Sequence, residues 1–463
     1  MSRYLVHFKK LLVIIVSAVI PLGTATFGHV YAQPLLNDPG LNAEAIVEGL
    51  SFPTSIAFLD ANNILILEKE GSVRLVSNGV LQDTPVLQIP VNSQNERGLL
   101  GIEVVNRSSN ITAGAASNGV SSPPPTAVFL YFTEQGGGEE ELRNRVYKYQ
   151  WNGQSLVNPT LILDLPAGPG TNHQGGKLVM GPDGYLYVVV GEMQRVGQLQ
   201  NIPGGPAPDD SGVIFRVNPD DGSAAASGNP FQGDALNRYF AYGIRNSFGI
   251  AFDPVTGVLW DAENGEEIYD EINIVNPGFN SGWKAVMGPI SVAGISENDL
   301  VQFPGSNYAD PVFSWAESLG ITDIEFLNSQ ELGQRYANNI FVGDITQGNL
   351  YFFEVNENRN GLNFNTQSYP GLSDLIADTD DESSSIMLGT GFTGITDIET
   401  GPDGFLYILT HDRETGDGNL YRIVLGASGA PDTTTTPPTP IIEETPPEEE
   451  EGDENEEEEE DEE

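Results

Sequence analysis

The chain contains no cysteine, four histidines, and only 20 lysines and arginines against 66 aspartates and glutamates in 463 residues. Without thiols it forms neither disulfides nor thiolate metal sites, so a large apolar core must hold it together. The shortage of positive charge argues against nucleic acid or an anionic membrane as partner, since both are bound largely through lysine and arginine. Long apolar runs are scarce too. Leu11 to Ile20 is one, preceded by Arg3, Lys9 and Lys10 and followed by Val30-Tyr31-Ala32. That is the pattern of a secretory signal over residues 1–32, cleaved before Gln33. The run is shorter than the ~20 residues a bilayer span needs. The expectation is therefore an exported mature protein, secreted or at the cell surface, with no membrane span.

The acidity divides into two parts. Glu443 to Glu463 holds 16 of the acidic residues. With leader and tail set aside, 17 basic residues face 50 acidic ones, a net charge of −33. Screening in a saline or divalent-rich exterior would limit the self-repulsion, and a plain solubility role is an equally good account. Residues 426–463, rich in Pro, Thr and Glu, have too little apolar surface to fold and read as a disordered tail. Two glycosylation sequons begin at Asn106 and Asn110 and agree with export.

Between leader and tail, residues 44–425 show almost no helical periodicity but many short β phrases. Two recur nearly verbatim. Gly181-Pro-Asp-Gly-Tyr-Leu-Tyr-Val-Val returns as Gly401-Pro-Asp-Gly-Phe-Leu-Tyr-Ile-Leu, and Gly320-Ile-Thr-Asp-Ile-Glu returns at Gly394. Pro-Asp-Gly supplies a reversal, and the flanking residues alternate as strands do. The first strands of successive units are anchored at Ile56, Ile102, Leu178, Ile250, Ile321 and Ile395, with separations of 46, 76, 72, 71 and 74 residues. Repeats of this size without helices predict an all-β fold, a six-bladed β-propeller of four-stranded blades.

Of the histidines, His7 and His29 fall in the leader and His411 ends a strand phrase. His173 precedes one, in the loop of Asn172-His-Gln-Gly-Gly-Lys-Leu. Loops at strand ends are where a rigid β scaffold carries its chemistry, so His173 is the leading candidate.

Several ordered phrases resemble one family across nearly the whole body. They are Glu96-Arg-Gly-Leu-Leu-Gly, the His173 segment, Asn229-Pro-Phe, Tyr242-Gly-Ile-Arg-Asn-Ser-Phe-Gly, Glu263-Asn-Gly-Glu, Asp270-Glu-Ile-Asn and Gly282-Trp283. Together they are similar to the quinoprotein glucose/sorbosone dehydrogenases, also called soluble aldose sugar dehydrogenases. The resemblance implies a six-bladed propeller binding pyrroloquinoline quinone (PQQ) and calcium near its axis. It implies His173 as the base that removes a proton from a sugar's anomeric hydroxyl, a task suited to a group ionising near neutral pH. Arg245 would hold charge developing on the quinone, and Asn246, Asn172 and Glu96 would face cofactor or substrate. Backbone carbonyls of Gly265 and Glu266 would hold the calcium. Basic residues that would meet the cofactor's carboxylates align with Thr346, Gly394 and Thr396, none of which is basic. The family's Gly-Pro step at the calcium loop is Gly265-Glu266 here, and Glu96 stands where some members have glutamine.

Other readings of the same residues stand beside this one. Arg245 could pair with a carboxylate, Gly265-Glu266 could be a simple turn, and Trp283 and Trp315 are expected to pack between blades. The acidic cluster from Asp378 to Glu382 lacks calcium-loop spacing and is expected to be a solvated loop. The whole could be a cofactor-less propeller that binds carbohydrate or a surface partner. It could also be a calcium-dependent lactonase drawing on Glu96, Asn172, Asn246 and Glu266. Sugar identity, electron acceptor and the choice between monomer and homodimer are not encoded in readable form.

Overall fold

A computed structural model of the chain describes residues 33–105, 126–136 and 142–426. The leader, both sequons and the tail from residue 427 lie outside the described residues. Within them the chain is all-β, and its strands form six antiparallel-based sheets. The first strands of the sheets are Pro53–Asp60, Leu99–Val105, Leu178–Met180, Ser247–Phe252, Ile321–Phe326 and Ile395–Thr400, and each carries one of the six anchors. These first strands touch one another in a closed circle, which sets a propeller axis. Numbered by their first strands, the sheets are called first to sixth below.

The expected blade count requires a correction. A count of blades gives five, not six, although strand pairing divides into six sheets. The sheets are uneven. The third begins with a first strand of three residues and continues through parallel additions Phe279–Asn280 and Asn307–Tyr308. The fifth takes in Leu35–Leu36 from the start of the described chain. The sixth is completed from both ends, since Leu41–Ser51 pairs antiparallel with Asp417–Leu425. That pairing closes the circle.

Burial explains the strand sequences. Second strands such as Asn63–Glu68 and Leu186–Val190 are buried almost throughout because neighbouring sheets cover both their faces. The apolar layers lie between sheets. In one, Trp260 meets Phe326 edge-on at 5.7 Å, and Trp315 packs with Phe313, Tyr351 and Phe353. Trp315 is thus packing, as expected, and burying such a ring contributes roughly 2–3 kcal/mol.

The two repeated phrases become two repeated devices. Gly181 and Gly401 each accept a turn closed by the backbone N–H of Gly184 or Gly404, at 2.9 and 2.8 Å. Asp183 and Asp403 in those turns each bind a tyrosine hydroxyl, of Tyr187 at 3.0 Å and Tyr407 at 2.9 Å. The second phrase joins sheet to sheet. Asp323 accepts the backbone N–H of Ile398 at 2.8 Å, and Asp397 accepts that of Ile56 at 2.6 Å. Each aspartate therefore fastens its own first strand to the next one around the circle.

Because first and second strands are antiparallel, the loop entering a first strand and the loop leaving a second strand open on the same face. That face carries Glu96, His173 and Arg245 before first strands, and Lys69, Glu192, Asn264 and Arg413 after second strands.

Candidate active site

His173 sits in the left-handed backbone region, with φ 60, a conformation costing of order 1 kcal/mol or more outside glycine. Two bonds hold it there. Its N–H donates to Glu96 Oε2 at 2.6 Å, and its carbonyl accepts from Met193 N–H at 3.3 Å. The carbonyl also crowds Gly191: a Cβ there would lie 2.3 Å from His173 O, so only glycine lets the two loops of the third sheet approach. The imidazole is half-buried, and its Nδ1 bonds the carboxylate of Glu192. An ionised carboxylate only accepts, so Nδ1 carries a proton toward Glu192, and in the neutral ring Nε2 is then the acceptor. This is the tautomer a general base requires.

Arg245 is buried in the loop before Ser247–Phe252. Its backbone N–H donates to Glu263 Oε1 at 2.6 Å, its carbonyl accepts from Glu192 N–H at 2.8 Å, and its Nη1 donates to Asn264 O at 3.0 Å. The guanidinium lies 5.2 Å over the Trp283 ring, while its Nε has no partner. The Arg245 guanidinium makes no ion pair among the described residues, contrary to the simple ion-pair reading. Burial pulls its pKa down, opposed by the charges of Glu192, Glu263, Glu266 and Glu96. Asn246 bridges two loops: its Nδ2 donates to Glu96 Oε2 at 3.1 Å, and its Oδ1 accepts from Gly175 N–H at 3.4 Å. Glu96, His173, Arg245 and Asn246, spread over 150 residues of sequence, are thereby joined through one carboxylate and its neighbours.

The remaining candidates stand differently. Asn172 enters through its carbonyl, which accepts from the Gln174 side chain at 3.1 Å. Gly265 donates its N–H to Asp270 Oδ1 at 2.9 Å, and a Cβ there would meet Ile268 O at 1.9 Å. Glu266 is exposed. Among the described residues no three His, Asp or Glu side chains gather as a metal site, so calcium would depend on the backbone carbonyls of Gly265 and Glu266. The acidic cluster at Asp378 is used otherwise. Thr379 and Glu382 form a capping box that starts the short helix Asp380–Ser385.

A cavity of about 380 Å³ lies on the axis, lined from all six sheets. Glu96 and Gly175 reach its wall, whereas His173 and Arg245 are not among the residues that line it. Lys69, His411 and Arg413 also line it, Lys69 through a bond to the carbonyl of Asn95 next to Glu96. At its floor Lys177 binds Asp323 at 3.0 Å, Asp397, and Glu399 at 3.1 Å. Thr396 lines the wall without charge. Gly394 has no room for a side chain, since a Cβ would fall 2.8 Å from Ile345 O and 2.9 Å from His411 O.

The sequence profile of the Glucose / Sorbosone dehydrogenase family matches residues 50–422. The chain belongs to that family. This family member is 26% identical over 428 residues to an uncharacterized protein of Synechocystis, covering 87% of this chain and 92% of the other. It is 28% identical to the aldose sugar dehydrogenase YliI of Escherichia coli over 56% of this chain and 62% of that one. Among solved structures, a putative oxidoreductase (glucose dehydrogenase) of Thermus thermophilus superposes with TM-score 0.63 at 26% identity, covering 83% of this chain and 100% of the other. The PQQ-bound form of the aldose sugar dehydrogenase of Streptomyces coelicolor shares the fold, with TM-score 0.59 at 22% identity over 83% and 98% of the two chains.

Glu192, Lys177, Lys69 and Arg413 were not singled out as site residues from sequence. Glu192 directly follows the buried strand Leu186–Val190 and Gly191, a position at the same face as His173. That strand-end placement was the available signal.

Proposed function

We propose that this glucose/sorbosone dehydrogenase family member is an exported quinoprotein that oxidises the anomeric carbon of aldoses to lactones, using PQQ and calcium. The observation that carries the reading is the His173–Glu192 pair, whose loop is tied by the His173 N–H to Glu96 on the wall of the axial cavity. His173 Nε2 takes the proton of the C1 hydroxyl, while Glu192 holds the ring in the one useful tautomer. Arg245, stacked on Trp283 with an unused Nε, provides fixed positive charge close to Glu96. A bound quinone supplies the hydride acceptor, chemistry that no side chain offers. Calcium would be held at the carbonyls of Gly265 and Glu266. Mixing the apoprotein with PQQ and calcium should yield sugar-dependent dye reduction. Absence of any reduction across common aldoses would sink the proposal.

The uncharged residues at Thr346, Gly394 and Thr396 favour one second reading, a propeller that binds carbohydrate without a cofactor. Sugar binding by calorimetry in a chain that ignores PQQ would select it.

A further inference from the structure

The wall of the axial cavity carries four groups that bear positive charge or can acquire it: Lys69, Lys177, His411 and Arg413. It also carries two carboxylates, Glu96 and Asp397. Most of these charges are already committed. Lys177 is surrounded by Asp323, Asp397 and Glu399. Asp397 further accepts from Ser55 Oγ at 2.8 Å and Ile56 N–H at 2.6 Å. Glu96 accepts from His173 N–H and from the Asn246 amide. His411 uses Nδ1 on the Pro53 carbonyl at 3.3 Å.

Lys69 and Arg413 remain. The Lys69 ammonium donates to the backbone carbonyl of Asn95 and feels the charges of Glu96 and Glu70 without an ion pair to either, and Arg413 is exposed with no ion pair among the described residues. In so acidic a chain this is unusual. Most lysines and arginines among the described residues are paired with a carboxylate. Lys69 and Arg413 come from corresponding places, the loops leaving the second strands of the first and sixth sheets, which are neighbours in the circle. Both act on the His411 ring between them. The Phe52 ring stands 5.8 Å from that imidazole and lines the same wall.

We infer that Lys69 and Arg413 form a two-cation cradle for the carboxylates of a planar polycarboxylate seated in the axial cavity, replacing the basic residues absent at Thr346, Gly394 and Thr396. Two cations on adjacent loops suit a carboxylate edge, whereas Gly394 lacks space for any side chain. The assignment rests on the quinoprotein reading for the ligand's identity, but not for its charge.

The test uses the full chain, the single variants Lys69→Met and Arg413→Gln, their double variant, and the charge-keeping pair Lys69→Arg and Arg413→Lys. Each is titrated calorimetrically with PQQ and, separately, with benzene-1,3,5-tricarboxylate, which has no redox chemistry. Circular dichroism checks that each variant is folded. Expected is a roughly ten-fold or greater loss of PQQ affinity in each single variant, about a hundred-fold or more in the double, and near-normal binding in the charge-keeping pair. If PQQ binds the double variant as it binds the parent, the cradle is refuted and the quinoprotein reading survives. If the tricarboxylate binds and is lost in the double variant while PQQ never binds, the cradle stands and the quinoprotein reading falls. Failure of both probes to bind the parent chain overturns the cradle itself.

Discussion

The two sides of the axial face are built alike and charged differently. At the ends of the second strands, the third and fourth sheets present Glu192, Glu263 and Glu266, whereas the sixth and first alternate in sign, with His411, Asp412 and Arg413 on one and Glu68, Lys69 and Glu70 on the other. The two histidines show what this does. His173 is tied to a carboxylate, while burial lowers the pKa of His411, with Lys69 and Arg413 adding to the effect and the Pro53 carbonyl and Asp412 opposing it. Similar strand ends thus brace one histidine with a carboxylate and set the other, more deeply buried, among groups of both signs.

The largest expected effect comes from removing the proton acceptor. His173→Ala should lower turnover by ~10²–10⁴-fold with an unchanged thermal melt, read by steady-state dye reduction. Full activity would end its role as base. Lys177 is the cation shared by the floor carboxylates Asp323, Asp397 and Glu399. Replacing it with methionine strands buried carboxylates, and urea denaturation should show a loss of ~3–5 kcal/mol. Glu192→Gln keeps the shape but not the charge, and should cost turnover ~10–100-fold with little change in KM. An equal rise in KM alone would mean that Glu192 serves binding instead.

Adding charge to the neutral wall is the converse experiment. Thr396→Arg should tighten PQQ binding about ten-fold, measured by fluorescence quenching. No change would mean that the wall at Thr396 lies out of the ligand's reach. The smallest effect concerns pH. Burial raises the carboxyl of Glu103 from 4.5 to about 7, with Met180 N–H and Lys177 opposing. The folded chain then holds a proton that the unfolded chain releases, so this contribution is full below pH 4.5 and is lost as pH rises through about 7. Glu103 is only partly buried, which moderates the effect. The melting temperature of Glu103→Gln should therefore fall less between pH 5 and pH 7.5 than that of the parent, by scanning calorimetry.

Much of this was legible in the sequence where a feature is local. The anchors Ile56 to Ile395 each mark a first strand, because a buried apolar strand next to a glycine turn advertises itself. The twin phrases at Gly181 and Gly401 fold as twin turns for the same reason. Strand alternation was a poorer guide for second strands, since Leu186–Val190 is covered on both faces and needs no polar residues. The outer closure by Leu41–Ser51 was hidden, because its partner lies at the other end of the chain. The blade count was overstated by treating each repeat as one regular unit, when the sheets vary in length and recruit extra strands. Of the site, the phrases around Glu96, His173 and Arg245 were readable. Their bracing by Glu192, and the cations Lys69 and Arg413, were not, because these depend on which loops share a face. The paired aspartates of Ile-Thr-Asp-Ile-Glu were visible as a repeat, but their bonds to the next strand are long-range facts.

The pairing of Leu41 with Leu425 places the two ends of the folded body side by side. A short linker could therefore join them, and new termini could be cut at the Pro-Asp-Gly reversal after Gly181, on the side away from His173. Such a circularly permuted chain would keep every neighbour in the ring while moving its opening to another sector.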